Sequence, residues 1–285
     1  MKTTLTLLIT IILSTNIAFA QNVFKTQIGE YTVYTLSEGQ RQGNTRILKN
    51  TTDEIIKQTA PDGTYPSATN CFLIQSANGK NNTLIDAGTN ATKLLENLAS
   101  IGVKPEDITE ILITHTHGDH IGGLMKDGKF AFPNATIFIS EKEHNYCIEK
   151  ENKSYIAVTE AYKIKTIEPN KLNKITNSVL PDIFAIESYG HTPGHTVYLL
   201  NLKKNNKLLI WGDLTHAMAV QMPYPKVAVT YDTNPDEAVV SRLKILDYVA
   251  KNKISVAGMH IAYPAIGKIT QKGEGFEFVP MTIEN

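Results

Sequence analysis

Six consecutive residues, His115-Thr116-His117-Gly118-Asp119-His120, place three imidazoles and a carboxylate in one short stretch. They follow Ile111-Leu112-Ile113-Thr114, an apolar run that reads as a buried strand. On extended backbone, side chains two residues apart point the same way, so His115 and His117 aim at one point beyond the strand end. Gly118 lets the chain turn there, which throws Asp119 and His120 toward the same region. Imidazole and carboxylate together are the ligand set of zinc and similar divalent cations. One histidine in this place would read as a loop residue meeting solvent; three, with an aspartate among them, read as a metal site.

Three further stretches carry the same residue types. Gly190-His191-Thr192-Pro193-Gly194-His195 holds two histidines around a tight turn between strands. Trp211-Gly212-Asp213 sets an acid after an apolar strand, where it can reach into a crevice. Gly258-Met259-His260 closes another strand. Each alone is weak evidence. Counting His191 alone from the turn, they offer with the first motif five imidazoles and two carboxylates, a set that suits two cations rather than one.

The elements that must hold these residues are legible in outline. Tyr31 to Leu36, Cys71 to Gln75, Thr83 to Asp86, Ile108 to Thr114, Thr136 to Ser140, Ile183 to Ser188, Thr196 to Leu202, Lys207 to Trp211 and Ile254 to Ala257 read as strands, with Phe276 to Pro280 as an edge. Asn90 caps a helix with Leu94, Leu95, Leu98 and Ile101 on one face and Gly102 as its stop. Glu141 to Ile156 reads as one helix, with His144 facing solvent. Asn234-Pro235-Asp236-Glu237 starts another, running to about Lys251 with Val239, Val240, Leu243, Leu246 and Val249 inward. Ser37 to Asn70 is polar and reads as a long functional loop with a short helix around Asp53 to Gln58. Lys163 to Pro181 reads as surface connection. Strands followed by helices in two halves predict an α/β layered fold in one domain.

At 285 residues the chain can bury a substantial core. Its formal net charge is zero and it has no long basic run, which gives no footprint for nucleic acid or an anionic membrane. Lys2, the apolar run Leu5 to Leu13 and Ala18-Phe19-Ala20 before Gln21 read as a secretory signal over residues 1–20, too short to span a bilayer. The mature protein is then exported, periplasmic or extracellular. That context permits a disulfide between Cys71 and Cys147, although two free, partly buried thiols is the plainer reading.

The ordered set His115-x-His117-x-Asp119-His120, Gly190-His191-Thr192-Pro193-Gly194-His195, Gly212-Asp213 and His260 resembles the metallo-β-lactamase superfamily, over essentially the whole mature chain. The resemblance implies a four-layer αββα sandwich, in residues 21–285, with a dinuclear metal site at one edge. It assigns His115, His117 and His191 to one cation, Asp119, His120 and His260 to a second, and Asp213 as the bridge, with His195 orienting a ligand by hydrogen bond. Trp211-Gly212-Asp213-Leu214-Thr215-His216, Ala219-Val220-Gln221, His260 to Gly267 and Gly273 to Pro280 resemble the methyl parathion hydrolase branch, neighbour to the N-acyl-homoserine lactone lactonases.

The resemblance to that branch implies a hydrolase with two divalent ions, Zn2+ first among them, that uses a metal-bridging hydroxide and opens lactones such as N-acyl-homoserine lactones. Organophosphate triesters and β-lactams are the alternative substrates, and a mononuclear iron persulfide dioxygenase is the alternative outside hydrolases. Asp119 and His216 are the expected catalytic groups. His216 stands where many of the lactonases have a tyrosine, three residues after the bridging aspartate. The pocket wall is expected from the Ser37 to Asn70 loop and from Met218, Met222, Tyr224, Val227 and Tyr231. The expected partner is a small-molecule substrate, without nucleic acid or a stable membrane anchor, and a homodimer is one assembly open to the chain.

Overall fold

The computed structural model describes residues 22–77, 79, 81–202 and 206–282. The expected secretory signal, and most of the turn joining Thr196–Asn201 to Lys207–Ile210, lie outside them.

Two sheets carry the fold. The first has seven strands in the order Val23–Ile28, Tyr31–Asn44, Thr64–Gln75, Asn82–Ile85, Ile108–Leu112, Thr136–Ser140, Lys163–Ile167. Its first four strands pair antiparallel and the last four parallel. The second has six, in the order Ile183–Glu187, Thr196–Asn201, Lys207–Ile210, Ser255–Ala257, Ile266–Lys272, Gly275–Pro280. Only its central pair, Lys207–Ile210 with Ser255–Ala257, is parallel.

The strands are apolar on both faces because both faces are covered. On Thr64–Gln75, Phe72 and Ile74 join the core shared with the second sheet, while Cys71 and Leu73 join the core under the outer helices. On Thr136–Ser140, Phe138 points to the first core and Ile137 and Ile139 to the second. The outer core is closed by Leu94 and Leu98 of the helix Ala91–Ser100, Cys147 of Glu141–Glu149, and Tyr155 and Val158 of Lys153–Ala161. On the far side, Ile245, Leu246 and Val249 of the helix Pro235–Lys251 pack with the second sheet. Each such side chain contributes about 1.5–3 kcal/mol by leaving water. The result is the expected αββα sandwich.

Several local expectations are corrected. Ser37 to Asn70 is not mainly a loop. Tyr31 to Asn44 continues as one strand through a bulge at Ser37/Gly39, paired with Thr64–Gln75 along its whole length, and only the segment between them, with the helix Asp53–Thr59, leaves the sheet. The polar composition misled because this paired arm overhangs the site, and its side chains line a cleft instead of a core. Glu141 to Ile156 is two helices, broken where Glu151 adopts φ 51 and Asn152 caps the second. Lys163–Ile167 is the sheet's edge strand, polar as exposed edges tend to be. Ile266–Lys272 is a strand the pattern did not reveal. On the helix Pro235–Lys251, Val240 faces solvent at 47% exposure, and Ala238 and Arg242 are buried in its stead. His144 is half-buried, its Nδ1 lying 2.8 Å from the Tyr155 hydroxyl. No described helix is long and apolar enough to cross a membrane.

Candidate metal centre

Strand ends from both sheets meet at one edge of the sandwich. Asp86 follows Asn82–Ile85, His115 follows Ile108–Leu112, His191 follows Ile183–Glu187, Asp213 follows Lys207–Ile210 and His260 follows Ser255–Ala257. Backbone hydrogen bonds tie these ends together: Ile113 N donates to Phe138 O and Thr196 N to Thr114 O. Gly118 opens a short helix, Gly118–Ile121, with an ordinary negative φ, so the helix and not a glycine turn delivers Asp119 and His120.

All seven residues expected as ligands converge there. His115 Nε2, His117 Nδ1 and His191 Nε2 form a triangle with sides of 2.9, 3.0 and 3.2 Å. Asp213 sits against both sets. Its Oδ2 lies 3.3 Å from His191 Nε2 and 3.7 Å from His115 Nε2, while Oδ1 lies 3.1 Å from both His120 Nε2 and His260 Nε2. Asp119 completes the second set, 3.4 Å from His260 Nε2 and 3.8 Å from His120 Nε2. The donor atoms of His115, His117, His191 and Asp213 lie within 4.8 Å of one another, as do those of Asp119, His120 and His260, and those of Asp213, His216 and His260.

This donor set fits divalent cations on grounds internal to the structure. Three imidazole nitrogens about 3 Å apart match the edges of a tetrahedral site, which are about 3.3 Å when the metal–nitrogen bonds are about 2.0–2.1 Å. Without an ion they would crowd one another to no purpose. His120 Nε2 and Asp213 Oδ1 are buried and face each other, yet neither makes a hydrogen bond. Buried polar atoms left without partners are rare and call for an unseen one.

The far sides of the rings are fixed in turn. His120 Nδ1 lies 2.6 Å from Asp86 Oδ2, His191 Nδ1 lies 2.9 Å from Asp232 Oδ1, and His260 Nδ1 lies 3.0 Å from the Ala68 carbonyl. Such partners set the tautomer and aim the other nitrogen at a cation. His195 is in none of the three groups. Its Nδ1 meets the Ser188 carbonyl at 3.0 Å and its Nε2 accepts from Asp213 N at 3.0 Å, so it orients Asp213 through the main chain. Gly212 makes this possible: at φ 56, a Cβ there would sit 2.6 Å from His195 Nε2.

Electrostatics follow from burial. Burial lowers His115 well below the usual imidazole range, brings His117 down to about 4, and takes His195 down to about 3. These rings are neutral at pH 7, the form that binds metal. Burial would also lower His191, but hydrogen bonds to Asp213 and Asp232 outweigh it and hold that ring up at about 9. Burial would raise Asp213, yet the surrounding His120, His260 and His216 hold it well below the carboxylate range.

A cleft of about 540 Å³ opens over the cluster, lined by His117, Asp119, Asp213, His216 and His260 on the floor and by Arg41, Asn44, Ile47, Tyr65, Ser67 and Tyr231 on the walls. The expected Ser37 to Asn70 wall is therefore present, as strand arms. The second expected wall contributes Tyr231 alone, because Met222 and Val227 are core residues and Met218 and Tyr224 pack against the core. His216 lies at the floor, Nε2 3.0 Å from Asp213 Oδ2, its ring stacked 5.0 Å from that of His260. Cys71 and Cys147 are free and buried.

Three contributors were not anticipated: Asp86, Asp232 and Arg41. Asp86 alone left a trace, as the acid of Asp86-Ala87-Gly88 at a strand end, the same pattern as Gly212-Asp213.

Comparison with known proteins supports the same picture. A family model described as the metallo-beta-lactamase superfamily matches residues 64–251. An N-acyl homoserine lactonase of Bacillus cereus is 30% identical over 131 residues, 45% of this chain and 47% of that protein. The chain thus spans about half the length of the curated relatives it matches. Among solved structures, AidC, a dizinc quorum-quenching lactonase in complex with a product, aligns with a TM-score of 0.80 at 27% identity, covering 93% of this chain and 99% of AidC. The hydrolase AbOPH aligns with a TM-score of 0.78 at 27% identity, over the same shares.

Proposed function

Because the chain belongs to the metallo-beta-lactamase superfamily, we propose that it is a dinuclear zinc hydrolase that opens lactones, N-acyl-homoserine lactones first among them, and so quenches quorum-sensing signals. The single observation that carries this is Asp213, whose carboxylate stands between the two sets: Oδ2 lies 3.3 Å from His191 Nε2 and 3.7 Å from His115 Nε2, Oδ1 lies 3.1 Å from His120 Nε2, and His260 Nε2 lies 3.1 and 3.2 Å from the two oxygens. His115, His117 and His191 would hold one cation and Asp119, His120 and His260 the other, with Asp213 shared. When bound, such a pair supplies Lewis acidity, polarising the ester carbonyl and bringing the pKa of a water toward about 7.

The chain's own residues do the rest. Asp213, held ionised by its ring neighbours and aimed by His195, keeps the two sets in register. Asp119 is 30% exposed at the cleft floor. Burial would raise its carboxyl, but His120 and His260 hold it below the usual range, so at neutral pH it is ionised and can relay a proton to the opened alkoxide, as a weak base that holds the proton only in passing. Burial brings His216 down to about 4, which keeps it a neutral imidazole that lines the floor beside Asp213 and orients the carbonyl side of the substrate. Ile47, Tyr65 and Tyr231 offer an apolar and aromatic wall for an acyl chain. The protein works after export, with residues 1–20 removed.

The test is a hydrolysis panel on purified mature protein, covering lactones of several acyl lengths, an aryl phosphotriester and a cephalosporin, with oxygen uptake followed in parallel. Ring opening of the lactones at the highest kcat/KM supports the reading. A preference for the phosphotriester or cephalosporin overturns the substrate, and oxygen uptake with one iron per chain overturns the class.

A further inference from the structure

Glu143 is wholly buried, and the proposed hydrolysis makes no use of it. Both of its oxygens are occupied. Oε1 accepts from Thr116 N at 3.0 Å and from Thr116 Oγ1 at 2.8 Å; Oε2 accepts from Thr192 Oγ1 at 2.6 Å and from Gly194 N at 3.1 Å. Thr116 separates His115 from His117. Thr192 and Gly194 lie on the turn between His191 and His195. One oxygen therefore serves each loop, and the carboxylate spans the two. A buried carboxylate is costly unless donors surround it, and here four donors do so.

The element carrying Glu143 is docked on the same turn. Ser140, the cap of the helix Glu141–Glu149, accepts from Glu143 N and donates its hydroxyl to Gly194 O at 2.7 Å. Gly194 lies so close that a Cβ there would sit 2.1 Å from Glu143 N. The helix start, the 115–117 loop and the 191–195 turn are thus one hydrogen-bonded unit, closed by a single side chain.

We propose that Glu143 is a positioning residue that sets the spacing of His115 and His117 against His191, and thereby the metal affinity of that trio. Its oxygens bond none of the seven expected ligand residues. The proposal rests on the reading of the trio as one of two metal subsites. It is selective, because the residues its oxygens bond, Thr116, Thr192 and Gly194, flank His115, His117 and His191, and none of them adjoins Asp119, His120 or His260 in the chain. In Glu143→Gln one carboxylate oxygen becomes an amide nitrogen, so one loop meets a donor where it needs an acceptor.

The experiment is a cobalt(II) titration of the metal-stripped mature protein, followed by visible absorption and calorimetry, for wild type, Glu143→Gln and Thr192→Val. Wild type is expected to bind two equivalents. Glu143→Gln is expected to weaken one equivalent by at least about tenfold and leave the other within about twofold, with the circular dichroism spectrum retained. Thr192→Val, which deletes one donor to Oε2, is expected to shift the same equivalent by less; it carries the test if Glu143→Gln does not fold. A two-site wild type with both variants titrating like it, or with both equivalents weakened alike, overturns this proposal alone. A wild type that binds no cobalt overturns the metal-centre reading itself, and this proposal with it.

Discussion

Asp86 Oδ2 lies 2.6 Å from His120 Nδ1, and both residues are wholly buried. The same carboxylate accepts from Thr114 N and Thr114 Oγ1, the residue just before His115, so one acid fixes the loop root and a ring within it. Asp86 holds this place with φ 56, a conformation that aspartate tolerates better than most side chains. Replacing it with Asn keeps the shape and removes the charge that orients His120. Asp86→Asn is expected to weaken metal binding by about 10–100-fold, read by chelator competition. Unchanged affinity would show that His120 needs no such partner.

His216 should matter for turnover more than for metal. It lines the cleft and meets Asp213, but the group of His115, His117, His191 and Asp213 and the group of Asp119, His120 and His260 are complete without it. His216→Ala is expected to lower kcat by about 100-fold or more while the metal content of the purified protein stays at the wild-type value. A variant with wild-type kcat would reduce His216 to a wall residue.

Arg41 is expected to act on binding. Its Nη2 stands 3.2 Å from His260 Nδ1, a nitrogen already engaged with the Ala68 carbonyl, and no carboxylate pairs with it among the described residues. That leaves the guanidinium to a polar group of the substrate, such as an amide or lactone oxygen. Arg41→Ala should raise KM about tenfold, the loss of one charge-assisted hydrogen bond of about 1.5 kcal/mol, with kcat nearly unchanged. Steady-state kinetics on a lactone with an amide side chain and on one without separates the cases: equal effects on both would contradict an amide contact.

Burial pushes the Cys147 thiol up to about 11 from 9.0, and raises Cys71 well above its ordinary value. Between pH 9 and about 11 the unfolded chain gives up a proton that the native Cys147 keeps, so stability falls as pH rises through that window. Denaturant midpoints measured from pH 8 to 11 should decline, and less steeply in Cys147→Ala. Neither thiol should react with an aromatic disulfide reagent at pH 8 until the protein unfolds; prompt reaction in the native state would contradict this.

The metal-binding residues were legible because they come in clusters at strand ends, where spacing alone brings side chains together. His115, His117, Asp119 and His120 needed only local geometry, and the turn around His191 and the strand ends at Asp213 and His260 supplied the rest. The residues behind them were not legible for the opposite reason. Asp86, Asp232 and Glu143 are single acids whose bonds to Thr114, His191, Thr116 and Thr192 exist only after the sheets assemble. Glu143 reads locally as one more charge in Glu141-Lys142-Glu143-His144. The Ser37 to Asn44 arm failed for a related cause: its polar residues signal a loop, although a partner strand elsewhere in the chain makes them a strand.

The most direct test is the metal content of the purified protein, counted by elemental analysis after dialysis, beside Asp213→Ala prepared in the same way. Two divalent cations per chain are expected for the wild type, with at most one retained and lactone turnover lost in the variant. One or no cation in the wild type, or a variant that keeps both cations and its full rate, would contradict the shared role of Asp213.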